Sequence, residues 1–166
     1  MQKILTATLA ATALAAGMAD AATTPASFQV TATVLSTCSA TAATLPFGNY
    51  TPGAGALAVN TAISVRCTKN TPYTISLNGG STTGGTVGQR LMASGANTLQ
   101  YNLYTTAAFA TVFGDGTGAS QTEPGTGAGV ATAVAFTVFG QLPDNATNQA
   151  AVPGAYTDTI TVTVTY

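Results

Sequence analysis

Beyond residue 26, apolar residues alternate with Thr, Ser and Asn at a period of two, the spacing at which a β-strand turns successive side chains to opposite faces. The C-terminus shows it best. Tyr156, Asp158, Ile160, Val162, Val164 and Tyr166 fall on one face, and Thr157, Thr159, Thr161, Thr163 and Thr165 on the other. Thr suits the outer face because its β-branch favours extended backbone. Ile63, Val65 and Cys67 alternate in the same way, as do Tyr73, Ile75 and Leu77. Leu99, Tyr101 and Leu103 form a third set and Val134, Phe136 and Val138 a fourth. Stretches rich in Gly, Ser and Thr, 78–88 and 114–129, read as loops between them. Sustained helical periodicity and a solenoid-length repeat are both missing from this part of the sequence. The pattern predicts one all-β domain with the strand spacing of a β-sandwich, and 166 residues suit a single domain.

The two ends carry most of the information. At the start, Met1-Gln2-Lys3, the apolar run Ile4 to Ala16, and the small-residue triplet Ala19-Asp20-Ala21 read as a secretory signal cleaved after Ala21. The run is too short to cross a bilayer, and an uncleaved amphipathic helix is the alternative. Next comes a strand-like segment with Phe28, Val30, Ala32 and Val34 on one face and Gln29, Thr31 and Thr33 between them. No charge, Gly or Pro occurs from Ser27 to Leu35. Left exposed, such a segment is an aggregation hazard that proteins usually blunt, so it is expected to pair with something. The pattern alone serves equally for the first strand of a self-contained sandwich. The last strand is expected to run to Tyr166, with nothing beyond it to pair.

Charge narrows the class of partner. The chain holds four basic and five acidic residues. Past residue 21 the bases are Arg66, Lys69 and Arg90, and the acids Asp115, Glu123, Asp144 and Asp158. This gives no basic stripe for nucleic acid or an anionic membrane. So little charge leaves apolar association unopposed, which suits a protein packed inside an assembly, although abundant Thr, Ser and Asn could also keep a secreted monomer in solution. Two cysteines, Cys38 and Cys67, in an exported chain read as a disulfide, worth about 3.5 kcal/mol in lost unfolded-chain entropy. A reactive thiol pair is the competing reading, but the spacing is not Cys-x-x-Cys and no His is present to lower a pKa.

Little in the sequence suggests catalysis. The absence of His removes Ser-His-acid and Cys-His arrangements and most zinc sites. The carboxylates fall in loops or at a strand start, and the sequence does not bring two together as glycoside hydrolysis needs. Asp115-Gly116 and Asp144-Asn145 read as turns and lack the oxygen-ligand density of calcium loops. The Gly-x-Gly-x-Gly runs from Gly114 and Gly125 lack the Lys and the helix of phosphate loops. Asn49-Tyr-Thr51 and Asn145-Ala-Thr147 match glycosylation sequons. Asp158, on the otherwise apolar face of the last strand, is expected at a sheet edge or bonded to a turn. No catalytic residue, metal ligand or cofactor is assigned.

Several segments taken in order resemble a known family. They are Phe28-Gln-Val-Thr-Ala-Thr-Val34 ahead of Cys38, Phe47-Gly-Asn-Tyr-Thr-Pro52, Leu99-Gln-Tyr-Asn-Leu-Tyr104, Phe113-Gly-Asp-Gly-Thr117, Phe139-Gly140 and the closing Gly154 to Tyr166. Together they resemble the spore coat protein U domain, which includes subunits of archaic (Csu-type) chaperone–usher pili. The resemblance implies an immunoglobulin-like β-sandwich lacking its last strand, completed by the N-terminal extension of another subunit or by a periplasmic chaperone. It divides the chain into a signal peptide (1–21), a donor-strand extension (22–36) and a pilin domain (37–166). Phe28, Val30, Ala32 and Val34 become the donor residues, and Ile160, Val162, Val164 and Tyr166 the strand lining the acceptor groove. The implied partners are identical or sister subunits, the chaperone and an outer-membrane usher, with no nucleic acid and no membrane insertion of the mature chain. The fibre would stand at the cell surface in adhesion and biofilm growth. A two-domain tip adhesin would need more chain than this. Phe113 stands where the family often has Trp, and Thr106 where Asp is common. A secreted coat or matrix protein of the same fold is the alternative, and a monomeric carbohydrate-binding sandwich a third.

Overall fold

The computed structural model describes residues 20–166, so the expected signal segment lies outside the described residues apart from Asp20 and Ala21. The chain divides into two units, 1–33 and 34–166. Residues 20–33 form no helix or strand and are exposed throughout.

The second unit is built from antiparallel strands whose inward positions are those the alternation marks. One sheet has five strands in the order β1 (Cys38–Ala42), β2 (Leu57–Cys67), β7 (Val134–Leu142), β5 (Asn97–Tyr104) and β4 (Arg90–Ser94). The other has three, β6 (Glu123–Thr126), β3 (Pro72–Leu77) and β8 (Val162–Thr165). Ile63, Val65 and Cys67 of β2, Tyr73, Ile75 and Leu77 of β3, Leu99, Tyr101 and Leu103 of β5, and Val138 of β7 are all buried in one core. Phe113, also fully buried, plugs that core as an apolar side chain. One short helix, α1 (Ala146–Gln149), is capped by the Asn145 side chain, which accepts from the Asn148 backbone N–H. This is an all-β, immunoglobulin-like sandwich of two antiparallel sheets. Within it β8 is hydrogen-bonded to β3 and, among the described residues, to no second strand, although β1 comes near it without pairing.

The structure adds three strands to those read from alternation. β1 begins at Cys38, after the Phe28–Val34 segment, and its Cys38 lies directly opposite Cys67 in the β1–β2 ladder. A disulfide joins the pair, with Cα atoms 4.1 Å apart. β4 pairs with β5 through a two-residue turn in which Gly95 takes φ +60°, the left-handed geometry such hairpins require. β6 lies inside the stretch expected to be loop. It carries Pro124 at a sheet edge, where the missing N–H is tolerated, and Gly125 packs so closely on the Tyr73 ring that a Cβ there would collide with it.

The final strand is also shorter than alternation implies. Only Val162–Thr165 joins a ladder, pairing with β3. Thr157 instead bridges Ala93 at the far edge of the other sheet, so the chain crosses between sheets from 157 to 162. Asp158 is the residue that breaks the pattern, as its contacts show.

Candidate functional site

Between the two sheets an apolar cleft of about 1250 Å³ opens onto the core. Its floor is made of side chains that would fill the centre of a closed sandwich: Ile63, Leu77, Leu99, Tyr101, Leu103, Val138 and Leu142. Two chain segments form its rims. One follows β1, residues 42–52; the other is residues 151–162. Among all these lining residues only Asp158 carries a charge at neutral pH.

The first rim is held by a glycine and a carboxylate. Gly140 of β7 leaves room for Leu45 and Phe47, since a Cβ there would come within 2.8 Å of Leu45 Cδ2 and 3.1 Å of Phe47 Cζ. Phe47 then meets Tyr101 edge-on with ring centroids 5.9 Å apart, a favourable quadrupolar arrangement. Asp144 fastens the following turn: it accepts from the Tyr50 hydroxyl at 2.5 Å and from the Gly53 and Gly55 backbone N–H groups at 3.0 and 2.8 Å. The Tyr50 bond, followed by the backbone ones, holds the Asp144 carboxyl down to about 2. Burial and the facing carboxylate push the Tyr50 phenol up to about 12.

The second rim is fixed by side chains in place of a ladder. One oxygen of Asp158 accepts from Ser81 N at 2.8 Å, Ser81 Oγ at 3.0 Å, Thr82 N at 3.0 Å and Thr82 Oγ1 at 3.1 Å. The other accepts from the Tyr101 hydroxyl at 2.6 Å. Partial burial works to raise this carboxyl, but the bonds from Tyr101, Thr159 and Ser81 outweigh it and hold the group below its ordinary range. Burial and the same carboxylate drive the Tyr101 phenol far up. Asn78 completes the bracket: its Oδ1 accepts from Thr161 N at 2.9 Å and its backbone N–H donates to Thr161 O at 3.2 Å.

Other polar groups support the frame. Arg90 is fully buried and spends its guanidinium on neutral acceptors: the Asn78 carbonyl at 2.8 and 3.0 Å, the Phe113 carbonyl at 2.9 Å and Asn102 Oδ1 at 2.6 Å. Burial pulls its pKa down from the usual value. Asn148, also fully buried, binds the Gln100 N–H and C=O and the Pro143 carbonyl. Asp115 closes its own turn by accepting from Thr117 N at 2.9 Å and Thr117 Oγ1 at 2.6 Å, as the sequence suggests. Thr106 lies in a turn closed by the Phe109 N–H.

The residues singled out from the sequence fall as follows. Ile160 and Val162 line the cleft. Val164 pairs with Ile75 and packs against the core, and Tyr166 lies past β8 and is exposed. Phe28, Val30 and Val34 are 87%, 81% and 82% exposed, and Ala32 is exposed as well. Sequence reasoning missed the 42–52 rim, the Arg90 and Asn148 anchors and the rim-fastening role of Asp144. The Phe47-Gly-Asn-Tyr motif and the Phe139-Gly140 pair were the available signals for the first. Arg90 gives little sign of burial, since a lone Arg beside an apolar triplet ordinarily reads as a surface residue. Two facing carboxylates, or a nucleophile beside a base, are not what this cleft presents. It can seat an extended apolar segment.

The site therefore belongs to a class defined by an unpaired sandwich edge: an immunoglobulin-like domain with a mainly apolar cleft between its sheets, whose floor side chains are each 5% exposed or less. The Spore Coat Protein U domain family matches residues 24–163, and this chain belongs to that family. A solved structure similar to it is a chain of the CsuC–CsuE chaperone–tip adhesion subunit pre-assembly complex from the archaic chaperone–usher Csu pili of Acinetobacter baumannii. The likeness has a TM-score of 0.56 and 25% identity over 81% of this chain. It spans 41% of the Acinetobacter chain. No curated protein sequence matches significantly.

Proposed function

We propose that this protein is a structural subunit of an archaic chaperone–usher type pilus, and that it polymerises when residues 28–34 of one copy enter the cleft of another. The carrying observation is the pairing of two unmet needs: an exposed, alternating apolar segment, and a β8 edge without a second paired strand beside the cleft between the sheets. At about 1250 Å³ the cleft exceeds the roughly 300–1000 Å³ of small-ligand sites, and its floor is the sandwich core itself. An added strand bonds through its main chain to the edge of β8 and sends alternate side chains inward. Burying Phe28, Val30 and Val34 at roughly 1.5–3 kcal/mol each yields about 5–9 kcal/mol before ordering costs. Head-to-tail addition of this kind does not close on itself, so it makes fibres.

In this reading the chain is exported by its N-terminal signal and held by a periplasmic chaperone. It then passes an outer-membrane usher and joins sister or identical subunits in a surface fibre serving attachment and biofilm growth. The protein acts by assembly and is not an enzyme. Deleting residues 22–36 tests the mechanism: size-exclusion chromatography is expected to show monomers that do not polymerise, and fibres from the truncated chain would refute donation.

A coat or matrix protein using the same strand exchange without a pilus is separated by gene neighbours, since a chaperone and an usher beside the gene favour the pilus. Carbohydrate binding is disfavoured by the tyrosines: Tyr73 and Tyr101 are buried, Tyr50, Tyr104 and Tyr156 half-buried, and only Tyr166 of the six is exposed.

A further inference from the structure

A carboxylate in an otherwise uncharged apolar cleft is costly unless it is fully bonded. Asp158 meets that demand with five donors, four from the Ser81–Thr82 turn and one from the Tyr101 hydroxyl. Only one of these partners lines the cleft. Tyr101 is floor, and the turn lies outside the rim. Thr159 N–H donates to Ser81 Oγ at 3.2 Å, so residues 158–161 are gripped by the 78–82 loop at both ends. Gly80, at φ +93°, admits the carboxylate, and a Cβ there would collide with it. The chain bridges Ala93 at Thr157 and enters the β3 ladder only at Val162.

We propose that Asp158 is a positioning residue of the acceptor cleft, one that fixes residues 157–161 against the 78–82 loop and the Tyr101 floor and so sets the register in which an incoming strand meets β8. The proposal rests on the reading that the cleft accepts a strand. A slip of one residue in a β-pairing turns every side chain to the other face, so an edge whose backbone is pinned at its entry discriminates registers. Ile160 and Val162, just past Asp158, are the cleft-lining residues whose position it sets.

The test uses the full, disulfide-bonded chain with two fluorescent peptides, one of residues 22–36 and one with Phe28 and Ala32 exchanged. Binding is read by anisotropy. The wild-type chain is expected to prefer the native peptide by about tenfold or more, the discrimination typical of a misplaced apolar group. Asp158→Ala is expected to reduce that preference to below about threefold, a loss of register selectivity. Tyr101→Phe, which removes a single hydroxyl and spares the fold, is expected to reduce it partway. Equal weakening of both peptides in the variants, or no change in either, would overturn the proposal and leave Asp158 a purely structural residue. Failure of the wild-type chain to bind either peptide would instead remove the acceptor reading itself, and this proposal with it.

Discussion

Asp144 and Tyr50 show how one hydrogen bond shapes the response of a rim to pH. Asp144 falls from 3.8 to about 2 in the folded chain, so its contribution to stability is complete above about pH 4 and is lost as pH falls toward 2. Tyr50 rises from 10.0 to about 12, so its contribution is complete below about pH 10 and is lost as pH climbs through 12. Tyr50→Phe is therefore expected to lower the melting temperature by a constant amount across neutral pH, the gap narrowing below pH 4. A gap that stays constant down to pH 2 would contradict the assignment. Arg90 makes a second case. Its replacement by Met keeps the volume but orphans the Asn78 and Phe113 carbonyls, and is expected to cost about 3 kcal/mol or more in denaturant unfolding. Arg90→Lys is expected to recover little, because an ammonium cannot span the same fork of acceptors.

At the level of elements, the disulfide ties β1 to β2 at the place where the described extension gives way to the sandwich. Thr68 reinforces that joint: Thr37 N donates to its Oγ1 at 3.0 Å and its own N–H donates to Thr37 O at 2.9 Å. Replacing both Cys38 and Cys67 by Ala is expected to cost about 3.5 kcal/mol for a loop of 29 residues while leaving assembled fibres intact. Unchanged stability, or fibres that dissolve under reducing agent alone, would count against it. Four strands were legible because their apolar residues alternate over a buried face, as in Tyr73, Ile75 and Leu77. β1 was not, since Cys38-Ser-Ala-Thr-Ala42 shows little contrast between its faces and is largely exposed. β6 hid behind Pro124 and Gly125, which read as loop until tertiary packing against Tyr73 is known. β8 was legible in type but not in extent, because the contacts of Asp158 lie some seventy-seven residues away in sequence. The cleft was legible only through its two ends; its rims depend on long-range packing at Gly140 and Asp144.

For the whole molecule, the central claim is that one unit lacks a strand that the other end of a second copy supplies. In that reading low charge, a largely apolar cleft and the exposed 28–34 segment all become tolerable once the segment is buried, and dissociation then requires reopening a core, which makes stability largely kinetic. Hydrogen exchange of monomer against fibre, read by mass spectrometry, tests this most directly. Amides of residues 28–34, and those amides of Val162–Thr165 that the β3 ladder leaves unpaired, are expected to exchange freely in the monomer and to gain protection together on assembly. Residues 28–34 that exchange as fast in the fibre as in the monomer would contradict it.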